Sequence, residues 1–212
     1  MLRARDTLVR WRSMARGIAE HLTTGVLTPF ADPAQADEIL AASRRWVERA
    51  VIGLNLCPFA KAVYVKRQIR FAVTAAARAD ALLTELRAEL ALLARADLDV
   101  VETTLLVHPC VLTDFTAYRL FLKDGDAAVR KLGLEGVVQI ASFHPDYEFA
   151  GSAKADIENF TNRSPYPMLH LLREASIDRA VATFPDTATI YERNVDTLRR
   201  LGHDGWRRLW LA

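Results

Sequence analysis

Leu106-Val107-His108-Pro109 and Ser142-Phe143-His144-Pro145 decide how this chain is read. Each closes a run in which apolar and polar residues alternate, and each stops at the same His-Pro dipeptide. Proline has no N–H to give a ladder and drives its predecessor out of helical φ/ψ, so His-Pro marks where a strand ends. If both strands are parallel, both imidazoles stand at the carboxyl edge of one sheet, where open α/β folds bind their ligands.

Outward from these two segments the chain reads as repeated strand and helix. Residues 68–74 alternate, with Ile69, Phe71 and Val73 on one face, and predict a first strand; residues 102–108 and 137–144 predict the second and third. Helices are expected over 80–95, with Leu82, Leu86, Leu90 and Leu93 inward, and over 113–132, closed by Gly133. The strands start at even intervals but share no residue pattern, which points to successive βα units rather than a solenoid. Connections this long favour parallel pairing and right-handed crossovers. The fold class is therefore α/β, a small, mostly parallel sheet flanked by helices. A ferredoxin-like α+β arrangement is the alternative, because alternation in all three strands fits a sheet with one half-exposed face.

Ahead of this region, Asp32-Pro33-Ala34-Gln35 predicts a helix start, with Ile39, Ser43, Trp46, Ala50 and Leu54 as its buried stripe, flanked by Leu40 and Val47. The expected organisation is an Arg-rich helical extension over 1–31, one α/β domain over 32–206 and a tail over 207–212. The 23 residues from Pro145 to Pro167 form the least regular segment. Loops of that length in compact domains are usually functional or disordered, and Tyr147, Phe149, Phe160 and Tyr166 favour an ordered one, folded over the edge that carries the histidines.

At 212 residues and 51% apolar, the chain can bury one sizeable core. Lys and Arg number 28 against 26 Asp and Glu, and the excess lies in residues 1–35. A neutral body argues against a nucleic-acid surface, and no apolar run approaches the ~18–20 residues that span a bilayer. Cys57 and Cys110 are too few for a disulfide scaffold, so a reducing, cytoplasmic setting is expected. The N-terminal stretch qualifies this. Leu8, Trp11, Ala15, Ile18 and Leu22 share a helical face among arginines, which has the character of an organelle transit peptide; the plainer reading is an accessory helix, or a true start nearer Met14. A homodimer is compatible with the sequence.

Four groups of residues carry candidate chemistry. His108 and His144 are candidate acid/base groups or metal ligands, against the plainer reading that each caps a strand. Asp146 follows His144 at a spacing that supplies a third ligand or an orienting carboxylate, against an Asx turn. Asn162-Arg163-Ser164-Pro165-Tyr166-Pro167 is expected to open a helix that puts His170 and Arg173 on one face; exposed N–H groups, Asn162, Tyr166, Arg163 and Arg173 would then hold an anion. Cys57, before Pro58 and one turn from Lys61, reads as a thiol of lowered pKa at a helix start, against a buried inert thiol. Asn194 falls near the apolar stripe of Ile190, Leu198 and Leu201 and predicts a polar tie to the long loop. Trp206 and Trp210 are expected to pack the tail onto the body.

Residues 45–206 also resemble a bacterial and plant family, domain of unknown function 1415. The resemblance rests on Trp46-Val47-Glu48 through Gly53-Leu54-Asn55-Leu56-Cys57-Pro58-Phe59-Ala60, on both His-Pro segments, and on the run from Asn162 to Glu174. It implies a soluble single-domain protein and adds no catalytic residue. The expectation is an enzyme acting on a small anionic metabolite, with His108, His144, Asp146 and His170 at one mouth and Arg163 and Arg173 as clamps. Three imidazoles and a carboxylate suit Zn²⁺ or Fe²⁺ better than a lone proton shuttle. The alternatives are a non-catalytic carrier or sensor of a metal or cofactor, and a thiol enzyme centred on Cys57.

Overall fold

The computed structural model describes residues 22–183 and 189–211. Its sheet has five strands: β1 Thr24–Val26, β2 Ile69–Val73, β3 Thr103–Val107, β4 Val138–Phe143 and β5 Met168–Arg173. Their order is β1-β2-β3-β5-β4. β1, β2 and β3 pair in parallel, while β5 is antiparallel to β3 on one side and β4 on the other. β4 therefore runs with β3, and His108 and His144 follow the ends of two parallel strands at one carboxyl edge. They are separated by β5, whose presence between β3 and β4 the sequence reading did not foresee.

β5 replaces the helix expected after Pro167. Leu169, Leu171 and Met168 are fully buried, and consecutive residues that bury on opposite faces need the two-residue period of a strand. Pro167 holds the entry extended, and its carbonyl accepts from the His108 amide at 3.1 Å. Bonded on both sides, Met168–Arg173 satisfies its backbone in the centre of the sheet, which no local spacing rule weighs. His170 and Arg173, expected on one helical face, consequently point to opposite sides of the sheet.

Both faces are covered by helices. One layer holds α1 Pro33–Trp46, the short α2 Ala60–Val65 and α6 Thr189–Arg208; the other holds α3 Ala79–Arg95 and α4 Phe115–Lys131. α5 Glu174–Thr183 follows β5 directly. Every residue of β2 and β3 is buried, so the alternation that fitted a half-exposed sheet has another origin, and the ferredoxin-like alternative is set aside. In β2 the polar position is Arg70, which forms a buried bidentate pair with Glu89 of α3, at 2.7 and 2.8 Å. Leu82, Leu86, Leu90 and Leu93 line the same helix at 0% exposure, each contributing roughly 1.5–3 kcal/mol by leaving water.

α1 starts as expected: Asp32 caps it by accepting from the Ala34 amide at 3.0 Å, and Pro33 occupies the first turn. It continues as a π-helical turn, Val47–Ile52, which keeps Val47 and Ala50 in the core. The extension read over 1–31 contributes β1 near its end; its arginine-rich part, through residue 21, lies outside the described residues, as do Asp186 and Ala212. α6 is interrupted at Gly202, whose φ of 63° is left-handed backbone open chiefly to glycine. The turn beyond it places Trp206 against Phe160 and Trp210. Asn194 makes its polar tie to the Leu56 carbonyl at 2.9 Å, not to the 145–167 loop. Among the described residues no helix is long and apolar enough to cross a membrane.

Candidate functional site

The two histidines meet through a third ring. His108 lies 5.8 Å and His144 5.1 Å, centroid to centroid, from Tyr118 of α4. All three side chains are fully buried. The Tyr118 hydroxyl donates to the Met168 carbonyl at 2.7 Å and accepts from the Phe143 amide at 3.1 Å, so it stands between β5 and β4 like a rung. The imidazoles take successive carbonyls of the loop after β3. His108 Nδ1 reaches Val111 O at 3.0 Å and His144 Nε2 reaches Leu112 O at 3.2 Å; Leu112 itself has a left-handed φ of 57°. A carbonyl only accepts, so both rings carry a proton on the nitrogen that faces it. His144 Nδ1 then accepts from the Asp146 amide at 3.0 Å, while His108 Nε2 is buried without a partner among the described residues. Burial pushes the His108 pKa down to about 4, helped by His144 and opposed by the bond to Val111. Burial lowers His144 as well.

The remaining sequence candidates do not join them. His170 is on the opposite face of the sheet, its Nε2 2.8 Å from Thr103 Oγ1, and burial holds its pKa at about 4. Arg173 is at the far edge, its Nη2 donating to the Ala96 and Val101 carbonyls. The Asp146 carboxylate turns outward to Lys154 Nζ at 3.1 Å. Among the described residues no group of three His, Cys, Asp or Glu side chains could hold a metal ion. The three expected ligands are turned different ways: His108 and His144 bond the Val111 and Leu112 carbonyls, and the Asp146 carboxylate pairs with Lys154. Cys57 follows Leu56, which is packed in the α1 layer; desolvation raises its thiol pKa against the bonds from the Phe59 and Ala60 amides. The lowered pKa expected of a helix-start thiol is therefore reversed.

The long loop is ordered, as its aromatic residues implied, and one buried side chain organises it. Asn159 Oδ1 accepts from the Phe149 amide and Ser152 Oγ, and Nδ2 donates to the Ala153 carbonyl. Asn162 and Tyr166 are taken up in the same fabric: Asn162 Nδ2 donates to Ser142 O at 3.1 Å, and the Tyr166 carbonyl accepts from Ser164 Oγ at 2.6 Å.

What the loop does create is a groove of about 480 Å³ on the α1 side of the carboxyl edge. Pro145, Arg163, Ser164 and Pro165 form one wall, Arg45, Trp46 and Arg49 of α1 and its continuation another, and Phe160, Trp206 and Trp210 the remainder. Three arginines are among its lining residues and no acidic residue is. Arg45 is exposed and makes no hydrogen bond or ion pair among the described residues. Arg49 spends one donor on the Leu209 carbonyl. Arg163 lies 4.2 Å over the Phe160 ring and donates to the Tyr147 and Lys154 carbonyls. Trp46 Nε1 bonds the Arg163 carbonyl at 2.8 Å, which ties the walls together.

Of the anion-clamp residues expected, only Arg163 is here. Arg45 and Arg49 were missed, although their i, i+4 spacing around Trp46 places two like charges on one side of a helix, an arrangement that by itself destabilises.

A family model described as "Protein of unknown function (DUF1415)" matches residues 38–208. The chain belongs to that family. The matched span of this DUF1415 member takes in both histidines of the buried cluster and every residue lining the groove except Trp210. No curated protein and no solved structure matches the chain.

Proposed function

We propose that this DUF1415 protein binds a small, multiply charged organic anion in the groove at the carboxyl edge of its sheet. The observation that carries the reading is the arginine set: Arg45, Arg49 and Arg163 line one cavity whose lining holds no acidic residue, with Asp146 and Glu148 acting on Arg163 from outside it. Guanidinium groups match carboxylate and phosphate in planar, paired hydrogen bonds, and like charges held together gain most when an anion sits between them. The volume lies in the range of small-molecule sites, and the carboxyl edge of an α/β sheet is where such ligands sit.

Binding, rather than turnover, is what the lining supports. It contains no free acid, base or nucleophile, since the hydroxyl of Ser164 is committed to the Tyr166 carbonyl. The enzyme reading would run through His108 and His144, but both are sealed from solvent, and a His108 pKa of about 4 makes a weak base at neutral pH. The two cysteines, unpaired with one exposed, support a reducing compartment such as the cytoplasm.

The test is calorimetric titration of the full chain with inorganic pyrophosphate and with citrate at low salt. At least one is expected to bind, with an affinity that falls as salt rises. Arg45→Glu, which breaks no bond among the described residues, should weaken that binding at least tenfold. Absence of binding by either probe at millimolar concentration, or indifference to Arg45→Glu, refutes the proposal.

A further inference from the structure

The aromatic half of the groove carries the reading further. Phosphate or citrate alone would use only the arginines, yet Trp46, Phe160, Trp206 and Trp210 make up much of the lining. Their packing is graded. Trp46 and Trp206 are 3% and 9% exposed and belong to the core; Phe160 meets Trp206 edge-on at 5.1 Å and carries the Arg163 guanidinium on its face. Trp210 differs. It is 40% exposed, and its one ring neighbour among the described residues is Trp206, at 5.6 Å and 74°. A near-perpendicular contact covers little of an indole, so a large flat apolar surface is left at the lip of a cationic cavity. Exposed indole normally gains by finding a cover, and a planar ring gives the largest contact for the least lost freedom.

We infer that the anion of this groove is a nucleoside phosphate, its base stacked on Trp210 and its phosphate held by Arg45, Arg49 and Arg163. The inference rests on the anion-binding reading above and adds the ring. The two surfaces lie side by side along one groove, as the two ends of a mononucleotide require. Stacking of a base on an aromatic side chain tolerates any base, because every base has a π-face, so the recognition is of the class and not of one member. Arg163 is held in place for such a ligand: it lies over Phe160 with Nε and Nη2 bonded to the Tyr147 and Lys154 carbonyls, so among the described residues Nη1 is the donor nitrogen not taken up by a carbonyl.

Calorimetric titration of the full chain with AMP, UMP, ribose 5-phosphate, adenosine and inorganic pyrophosphate tests this. AMP and UMP are expected to bind roughly 5- to 150-fold more tightly than ribose 5-phosphate, the advantage of one stacked base. Trp210→Ala should remove that advantage and leave ribose 5-phosphate unchanged, whereas Arg45→Glu should weaken all the phosphates; Trp210→Phe should restore part of the gain, and circular dichroism confirms that each variant is folded. If the nucleotides bind no better than ribose 5-phosphate, or if Trp210→Ala leaves their advantage intact, the stacked base is refuted while pyrophosphate binding still upholds the anion site. If none of the nucleotides, ribose 5-phosphate, pyrophosphate and citrate binds, both readings fall.

Discussion

Acid should unfold this protein through its histidines before its carboxylates titrate. His108 and His170 are held neutral by burial, each with a pKa near 4 against an ordinary 6.5. A group whose folded pKa is depressed binds fewer protons folded than unfolded between those two values, so stability is complete above pH 6.5 and falls as pH drops towards 4. Each separation corresponds to roughly 3 kcal/mol in full, and to about 2 kcal/mol lost per group by pH 5, or about 4 kcal/mol together. Burial lowers His144 too, so it adds in the same direction. Domains of this kind have about 5–15 kcal/mol in total, so the effect is a large fraction of what holds the fold. Urea titrations at pH 8, 7 and 5, followed by tryptophan fluorescence, measure it: the midpoint should hold between pH 8 and 7 and then fall steeply. The paired variant His108→Asn and His170→Gln keeps a donor towards Val111 O and Thr103 Oγ1 and removes both titrations. It should be less stable than the parent at pH 8 and lose markedly less between pH 8 and 5. A parent stability that does not change from pH 8 to 5, or a variant that falls as steeply as the parent, refutes the argument that these rings are held neutral.

Two further outcomes test the site. Tyr118→Phe keeps the ring but strips the Met168 carbonyl and Phe143 amide of their buried partner; with about 1–3 kcal/mol for each stranded group, a loss of roughly 2–4 kcal/mol in urea unfolding is expected, and one below about 0.5 kcal/mol would show that the hydroxyl is not the rung described. Iodoacetamide at neutral pH should label Cys57 more slowly than a free thiol, because burial raises its pKa, while exposed Cys110 labels normally; preferential labelling of Cys57, read by mass spectrometry, would revive the thiol-enzyme alternative.

The legible part of the protein is the part governed by neighbours in the chain. The period of apolar residues in 68–74, 102–108 and 137–144, the Asp32-Pro33 cap and the His-Pro stops depend on backbone sterics and local hydrogen bonds, which a few residues specify. They located three strands, their common direction and the edge where both histidines stand. Met168–Arg173 lay beyond that reach: its apolar spacing fits a helix as well as a strand buried on both faces, and only the open ladders of β3 and β4 decide between them. That single insertion sent His170 and Arg173 away from the carboxyl edge where His108 and His144 stand.

The groove shows the same division from the other side. Arg45 and Arg49 each stand next to a buried residue of the stripe, Trp46 and Ala50, and read as a solvated helix face; Arg163 and Trp210 are remote in sequence from both. Composition could establish that guanidinium and indole groups exist in number. Their convergence without a carboxylate depends on a loop tied by Asn159, a left-handed Gly202 and a hydrogen bond from Trp46 to the Arg163 carbonyl. Electrostatics acts across space without regard to chain separation, so which charges share a cavity is settled by packing, and packing is a property of the folded whole.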